Sequence, residues 1–179
     1  MIFKETGIPD VFLIEPELIE DDRGYFTRSF CQSEFTDHNI DFLPVQCNIS
    51  YNKTAYTLRG MHFHAAPYEE VKLVRCSAGK IFDVAVDIRP NSPSFKKWVG
   101  VELSRENGHA LFIPAGCAHG FMTLEDDCEV FYQMSPAFTP GHDRGFRWNT
   151  PELDIDWPAS PKVISARDIE LGTFDEAIR

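Results

Sequence analysis

Long apolar runs are missing. No stretch approaches the ~18 residues that a membrane-crossing helix needs, although hydrophobic residues make up 43% of the 179-residue chain. The opening Met1-Ile2-Phe3-Lys4-Glu5 lacks the basic and then apolar regions of a secretory signal. Cations are in short supply too: 17 Lys and Arg stand against 28 Asp and Glu, a net charge of −11. That balance disfavours contact with a nucleic-acid backbone, and it leaves any anion site to a few specific Arg and Lys side chains. Cysteine pairing is equally poor. Cys31, Cys47, Cys76, Cys117 and Cys128 are odd in number, widely spaced and without a C-x-x-C, which suits a reducing compartment and a role as small core residues. The expectation is a cytoplasmic protein with no membrane or nucleic-acid partner. Repeats, linkers and low-complexity segments are absent as well, so residues 1–179 read as one domain, long enough for one continuous core.

What the sequence does have is short strand-like runs between turn residues. Val11 to Ile14, Gly24 to Phe30, Thr57 to Phe63, Val71 to Cys76, Trp98 to Leu103, Ala110 to Ile113 and Cys128 to Met134 all fit. The clearest alternation runs from Ile81 to Arg89, with Phe82, Val84, Val86 and Ile88 on one face and Asp83, Asp87 and Arg89 on the other. Pro90-Asn91-Ser92-Pro93 ends it. Helix is expected only over Gln32 to His38 and Ile169 to Ile178. Strands of this length and spacing predict an all-β sandwich or barrel with short peripheral helices, and a doubly rolled, jelly-roll barrel fits the count. The segment from Thr139 onward, rich in Pro, Gly, Trp and Asp, is expected to pack over the barrel as an ordered arm.

The densest polar cluster is Arg59-Gly60-Met61-His62-Phe63-His64, continuing to Glu69, Glu70 and Lys72. His62 and His64, two apart, share a strand face, while Arg59 joins them only if Gly60 bulges the chain. Farther on, Pro114-Ala115-Gly116-Cys117 shapes a turn that delivers His119 onto a new strand. One reading is a metal site built from His62, His64, Glu69 and His119, three imidazoles and a carboxylate suited to Fe, Mn, Ni or Zn. Against it, the next glycine, Gly79, lies farther from Glu69 than the usual cupin spacing. Asp83 is a candidate partner of His119, and Asp87 with Arg89 a solvated or structural pair.

Residues 3 to 170 also resemble the dTDP-4-dehydrorhamnose 3,5-epimerase family of cupin-type sugar-nucleotide epimerases. The matching segments are Asp22-Arg23-Gly24-Tyr25-Phe26, Gln46-x-Asn48-x-Ser50, Leu58 to Phe63, Lys72 to Cys76 and Asp83 to Arg89. They continue in order with Ala118 to Phe121, Glu129 to Tyr132 and Ser165-Ala166-Arg167-Asp168. The resemblance implies proton transfer at carbons next to a 4-keto group, with no metal and no cofactor. It assigns His62 as base, Asp168 as the residue orienting it, Tyr132 as acid on the opposite ring face and Lys72 as stabiliser of the enolate oxygen. It further implies substrate contacts from Arg23, Phe26, Gln46, Asn48, Arg59, His64, Glu70, His119, Asp143 and Arg167. The implied partners are a nucleotide-diphosphate sugar and a second copy of the chain, a homodimer in which Arg23 reaches the partner's site.

Four positions depart from the family's common pattern. His64 and Glu70 stand where glutamines are common, Phe138 where a second tyrosine is usual, and Arg28 where a glutamate is frequent. Inversion of a single centre, a different nucleotide carrier, the metal-dependent cupin reading and a binding module without turnover therefore stand beside inversion of C3 and C5.

Overall fold

A computed structural model describes residues 1–178; Arg179 lies outside the described residues. Two antiparallel sheets face each other. One has the order β1 (Ile2–Glu5), β2 (Phe12–Glu15), β10 (Ala110–Ile113), β7 (Val71–Ala78), β12 (Cys128–Ser135) and β5 (Gln46–Asn52). The other runs β13 (Asp143–Gly145), β6 (Thr57–His64), β11 (Cys117–Thr123), β8 (Lys80–Asp87) and β9 (Trp98–Ser104), with β14 (Val163–Ile164) pairing parallel to β6. This is the cupin-type jelly roll, with helix among the described residues confined to three short pieces.

The inward faces meet in a core of Val74, Cys76, Ile81, Ala85, Leu103, Leu111, Ile113, Phe121 and Val130. The alternation along β8 places Phe82, Val84 and Val86 on one face, but that face is not the barrel interior. It lies outside, covered by Phe146, Leu153, Trp157 and Phe174 of the C-terminal arm. The other face, with Ile81, Asp83 and Ala85 all 0% exposed, points into the barrel. The arm buries the first face, so β8 is covered on both sides.

α1 (Gln32–Asp37) fills the expected first helix and packs Phe35 with Phe42 and Phe112 on the outer surface of the first sheet. Two expectations are corrected. The strand expected over Gly24 to Phe30 stops at Phe26, where β4 (Gly24–Phe26) pairs only with β3 (Ile19–Asp21) in an exposed hairpin. The helix expected over Ile169 to Ile178 is split into α2 (Ala166–Ile169) and α3 (Phe174–Ala177). Gly172 and the capping box of Thr173 with Glu176 start a new helix there. All five cysteines are free, with Cys76, Cys117 and Cys128 buried. Burial pushes the Cys76 and Cys117 thiols up to about 12. Among the described residues, no helix is long and apolar enough to cross a membrane.

Candidate active site

A cleft of two lobes opens between the sheets. The larger, about 660 Å³, is lined by Arg59, His62, Lys72, His119, Tyr132 and Asp168 among others. The smaller, about 320 Å³, is lined by Gln46, Asn48, His64, Glu70, Phe138 and Asp143 among others. His62, Lys72, Tyr132 and Arg167 belong to both lobes and form their common wall.

Gly60 brings Arg59 and His62 into the same lobe. Its φ of 117° lies in the left-handed region, and the β6–β11 register shifts beside it, between His119 and Phe121. A Cβ on Gly60 would sit 2.7 Å from Gly120 Cα and 2.8 Å from the His119 carbonyl oxygen. The two strands therefore approach more closely than side chains allow. Arg59 is then fixed by its Nε donating to Asn52 Oδ1 at 2.7 Å. Asn52 escaped the sequence reading, yet it ends the period-2 series Gln46, Asn48, Ser50, Asn52 along the inward face of β5. Extending that series by one step would have found it.

His62 Nε2 lies 2.7 Å from Asp168 Oδ1. A proton on Nε2, donated to the carboxylate, leaves Nδ1 unprotonated and without a protein partner among the described residues. Asp168 comes from α2, whose first turn is capped by Ser165 accepting from the Asp168 backbone N–H. Its second oxygen accepts from the Gly60 N–H at 3.2 Å. Burial works to raise the Asp168 carboxyl, but the His62 hydrogen bond and charge, with the Gly60 N–H, outweigh it and hold it below the usual range.

A second histidine–aspartate pair lies beside the first, because β6 and β11 place His119 opposite His62. His119 Nε2 is 2.7 Å from Asp83 Oδ1. On the facing sheet, Lys72 Nζ contacts Glu70 Oε1 at 2.6 Å. Burial, and then the negative charge of Glu70, raise the Tyr132 phenol above its ordinary value.

Two sequence-predicted residues stand outside the cleft. Arg23 and Phe26 lie on the exposed β3–β4 hairpin, where Arg23 pairs with Asp21 and Phe26 is 71% exposed. Arg167 and Asp143 are hydrogen-bonded to each other at the rim. Asp87 with Arg89 is a structural pair: Asp87 is 0% exposed and accepts from Arg89, Ser92 and Ser94. Arg28 pairs with Glu34 near the N-terminus.

The candidate metal donors do not converge. His62 and His119 turn their Nε2 atoms to different carboxylates, and Glu69 is not among the lining residues because Glu70 and Lys72 take the inward positions leading into β7. Among the described residues, no group of three or more His, Cys, Asp or Glu is arranged to hold a metal ion.

Comparison with known proteins agrees over nearly the whole chain. Residues 5–176 match the family described as dTDP-4-dehydrorhamnose 3,5-epimerase. The chain is 48% identical over 177 residues to the dTDP-4-dehydrorhamnose 3,5-epimerase of Escherichia coli K12, covering 97% of this chain and 95% of that one. Its fold matches the crystal structure of the Bacillus anthracis dTDP-4-dehydrorhamnose 3,5-epimerase with TDP and pyrophosphate bound, with a TM-score of 0.92 and 40% identity over 96% and 98% of the two chains. It also matches the Legionella pneumophila 3,5-epimerase in complex with dTDP-4-keto-L-rhamnose, with a TM-score of 0.91 and 36% identity over 97% and 93%. The chain thus belongs to the dTDP-4-dehydrorhamnose 3,5-epimerase family of isomerases.

Proposed function

We propose that the chain inverts C3 and C5 of dTDP-4-keto-6-deoxyglucose by proton removal and return, in deoxysugar synthesis. The observation that carries this reading is the shared wall of the cleft, where the His62–Asp168 pair, Lys72 and Tyr132 surround one space. The 4-keto group acidifies the neighbouring C–H bonds. His62 Nδ1 takes the proton from carbon, and the C–H electron pair moves through the new C=C bond onto O4. The Lys72 ammonium faces that enolate oxygen as a fixed charge. As the enolate collapses, Tyr132 O–H gives its proton to the opposite face of the carbon, inverting it. Solvent then reprotonates the tyrosinate and takes the proton from the His62 imidazolium. Burial and Glu70 favour the protonated phenol, the form a proton donor needs. The step balances without an oxidant, metal or cofactor.

Arg59 and His119 line the larger lobe, where a guanidinium fork suits the diphosphate. Arg23 and Phe26 serve the cleft of a second copy in a homodimer, a role their position on a projecting hairpin supports. Exposed Ile49 and Tyr51 on the outer face of β5 supply apolar surface for that association. The protein works in the cytoplasm as a single domain.

The test is NMR of dTDP-4-keto-6-deoxyglucose with the enzyme in D₂O. Deuterium entering both C3 and C5 is the expected result. Entry at one carbon would replace the double inversion by a single-centre reaction, and no entry at either would overturn the proton-abstraction mechanism.

A further inference from the structure

The smaller lobe ends in a buried polar pair that the proton-transfer steps leave unused. His64 is 5% exposed. Its Nδ1 is sealed from solvent with no hydrogen-bond partner, 4.0 Å from Glu70 Oε2. Glu70 is itself buried, and its other oxygen is occupied by Lys72. The imidazole ring packs against Phe138, with centroids 5.3 Å apart, and forms part of the lobe wall. Nε2 also makes no hydrogen bond to any described residue.

A buried polar atom left unpaired costs about 1–3 kcal/mol, so native chains rarely keep one without a use. Here Nδ1 faces a carboxylate, which favours the tautomer with its proton on Nδ1. That tautomer leaves Nε2 as a lone-pair acceptor at the wall of an open lobe. The neighbouring amides are already committed. Gln46 accepts from the Phe138 N–H and donates to Asn48, and Asn48 in turn donates to the sulfur of Met134. His64 Nε2 is an uncommitted acceptor in the lining, next to the wall that holds His62, Lys72 and Tyr132.

We propose that His64, oriented by Glu70, is a specificity residue that accepts a hydrogen bond from a hydroxyl of the hexose ring beside the reacting carbons. The proposal rests on the sugar-nucleotide reading above. With the ketone at Lys72, the flanking carbons present their substituents to the smaller lobe, and a hydroxyl there pairs Nε2. A ring lacking that hydroxyl leaves Nε2 unpaired, and selectivity follows from that difference.

The test compares the full-length wild type with His64→Leu and His64→Gln, using dTDP-4-keto-6-deoxyglucose and its 2-deoxy and 3-deoxy analogues. Rates come from deuterium exchange at C5, and dTDP affinity from calorimetry. His64→Leu should lower kcat/KM roughly 10-fold, mainly through KM, with dTDP affinity unchanged. His64→Gln, which keeps a carbonyl acceptor, should recover most of the loss. With one of the two deoxy analogues, wild type and His64→Leu should become equal. Equal kcat/KM on the full substrate would overturn the proposal. So would a loss that glutamine does not repair, a parallel loss of dTDP affinity, or a gap that persists with both analogues. A wild type that exchanges no deuterium would instead sink the epimerase mechanism itself.

Discussion

Two histidine–aspartate pairs stand side by side with the same 2.7 Å separation, yet their surroundings differ at nearly every other point. The His62 side chain is 34% exposed in the cleft wall, whereas that of His119 is 10% exposed. Asp168 reaches His62 from a capped helical turn beyond the barrel strands, and both of its oxygens are hydrogen-bonded. Asp83 lies within β8, 0% exposed, and its Oδ2 has no partner. A short contact between imidazole and carboxylate is therefore not a sign of function in itself. On the reading proposed above, the more exposed His62 with its doubly bonded Asp168 is the pair that exchanges protons with a ligand, while the less exposed His119 lines the larger lobe beside it.

The sharpest way to break this comparison is to remove each ring's chemistry in turn. His62→Asn should reduce deuterium exchange about 10³-fold or more; retention of near-wild-type exchange would move the base elsewhere in the cleft. Asp168→Asn keeps the shape but loses an acceptor for the His62 ring proton and the Gly60 N–H, and exchange should fall on the order of 100-fold. Asp83→Asn should act mainly on folding, lowering stability by about 1–3 kcal/mol in thermal or denaturant unfolding while exchange falls much less. If Asp83→Asn matched Asp168→Asn in rate and left stability untouched, the assignment of the two pairs would be reversed.

The smallest effect concerns pH. The folded-state carboxyl of Asp168 is lowered, so its contribution to stability is full above the unfolded value near ~3.9 and is lost as pH falls through the folded value. The difference in melting temperature between wild type and Asp168→Asn should therefore shrink as the pH drops below about 4. A difference that stays constant or grows in acid would contradict the lowered carboxyl.

How much of this was legible in the sequence depended on range. Short strands and turns such as Pro90 to Pro93 are local signals, and β7, β10 and β12 appear close to where alternation puts them. The bulge at Gly60 was readable too, because only a break in the period-2 pattern lets Arg59 join His62. The side of β8 that faces the barrel was not readable. Alternation identifies two faces, but the apolar one is covered by Phe146, Trp157 and Phe174, residues some 60 to 90 positions away in the chain. The His62–Asp168 contact spans 106 positions, and only the family resemblance brought Asp168 into view. Arg23 and Phe26 show the opposite limit: the resemblance named them, while a single chain leaves them outside the cleft.

The C-terminal arm gives the site an order in time. Every strand of the two main barrel sheets except β14, and with them His62, Lys72 and Tyr132, lies within the first 145 residues. The carboxylate bonded to the proposed base, His62, comes only at residue 168, and Phe174 is among the residues that hold the arm on Val84 and Val86. During synthesis, the strands that carry His62, Lys72 and Tyr132 emerge first, and residues 163–168 then supply the rest of the larger lobe's wall. On the reading proposed above, a product stopped before residue 163 would lose at once a wall of the larger lobe and the carboxylate bonded to His62.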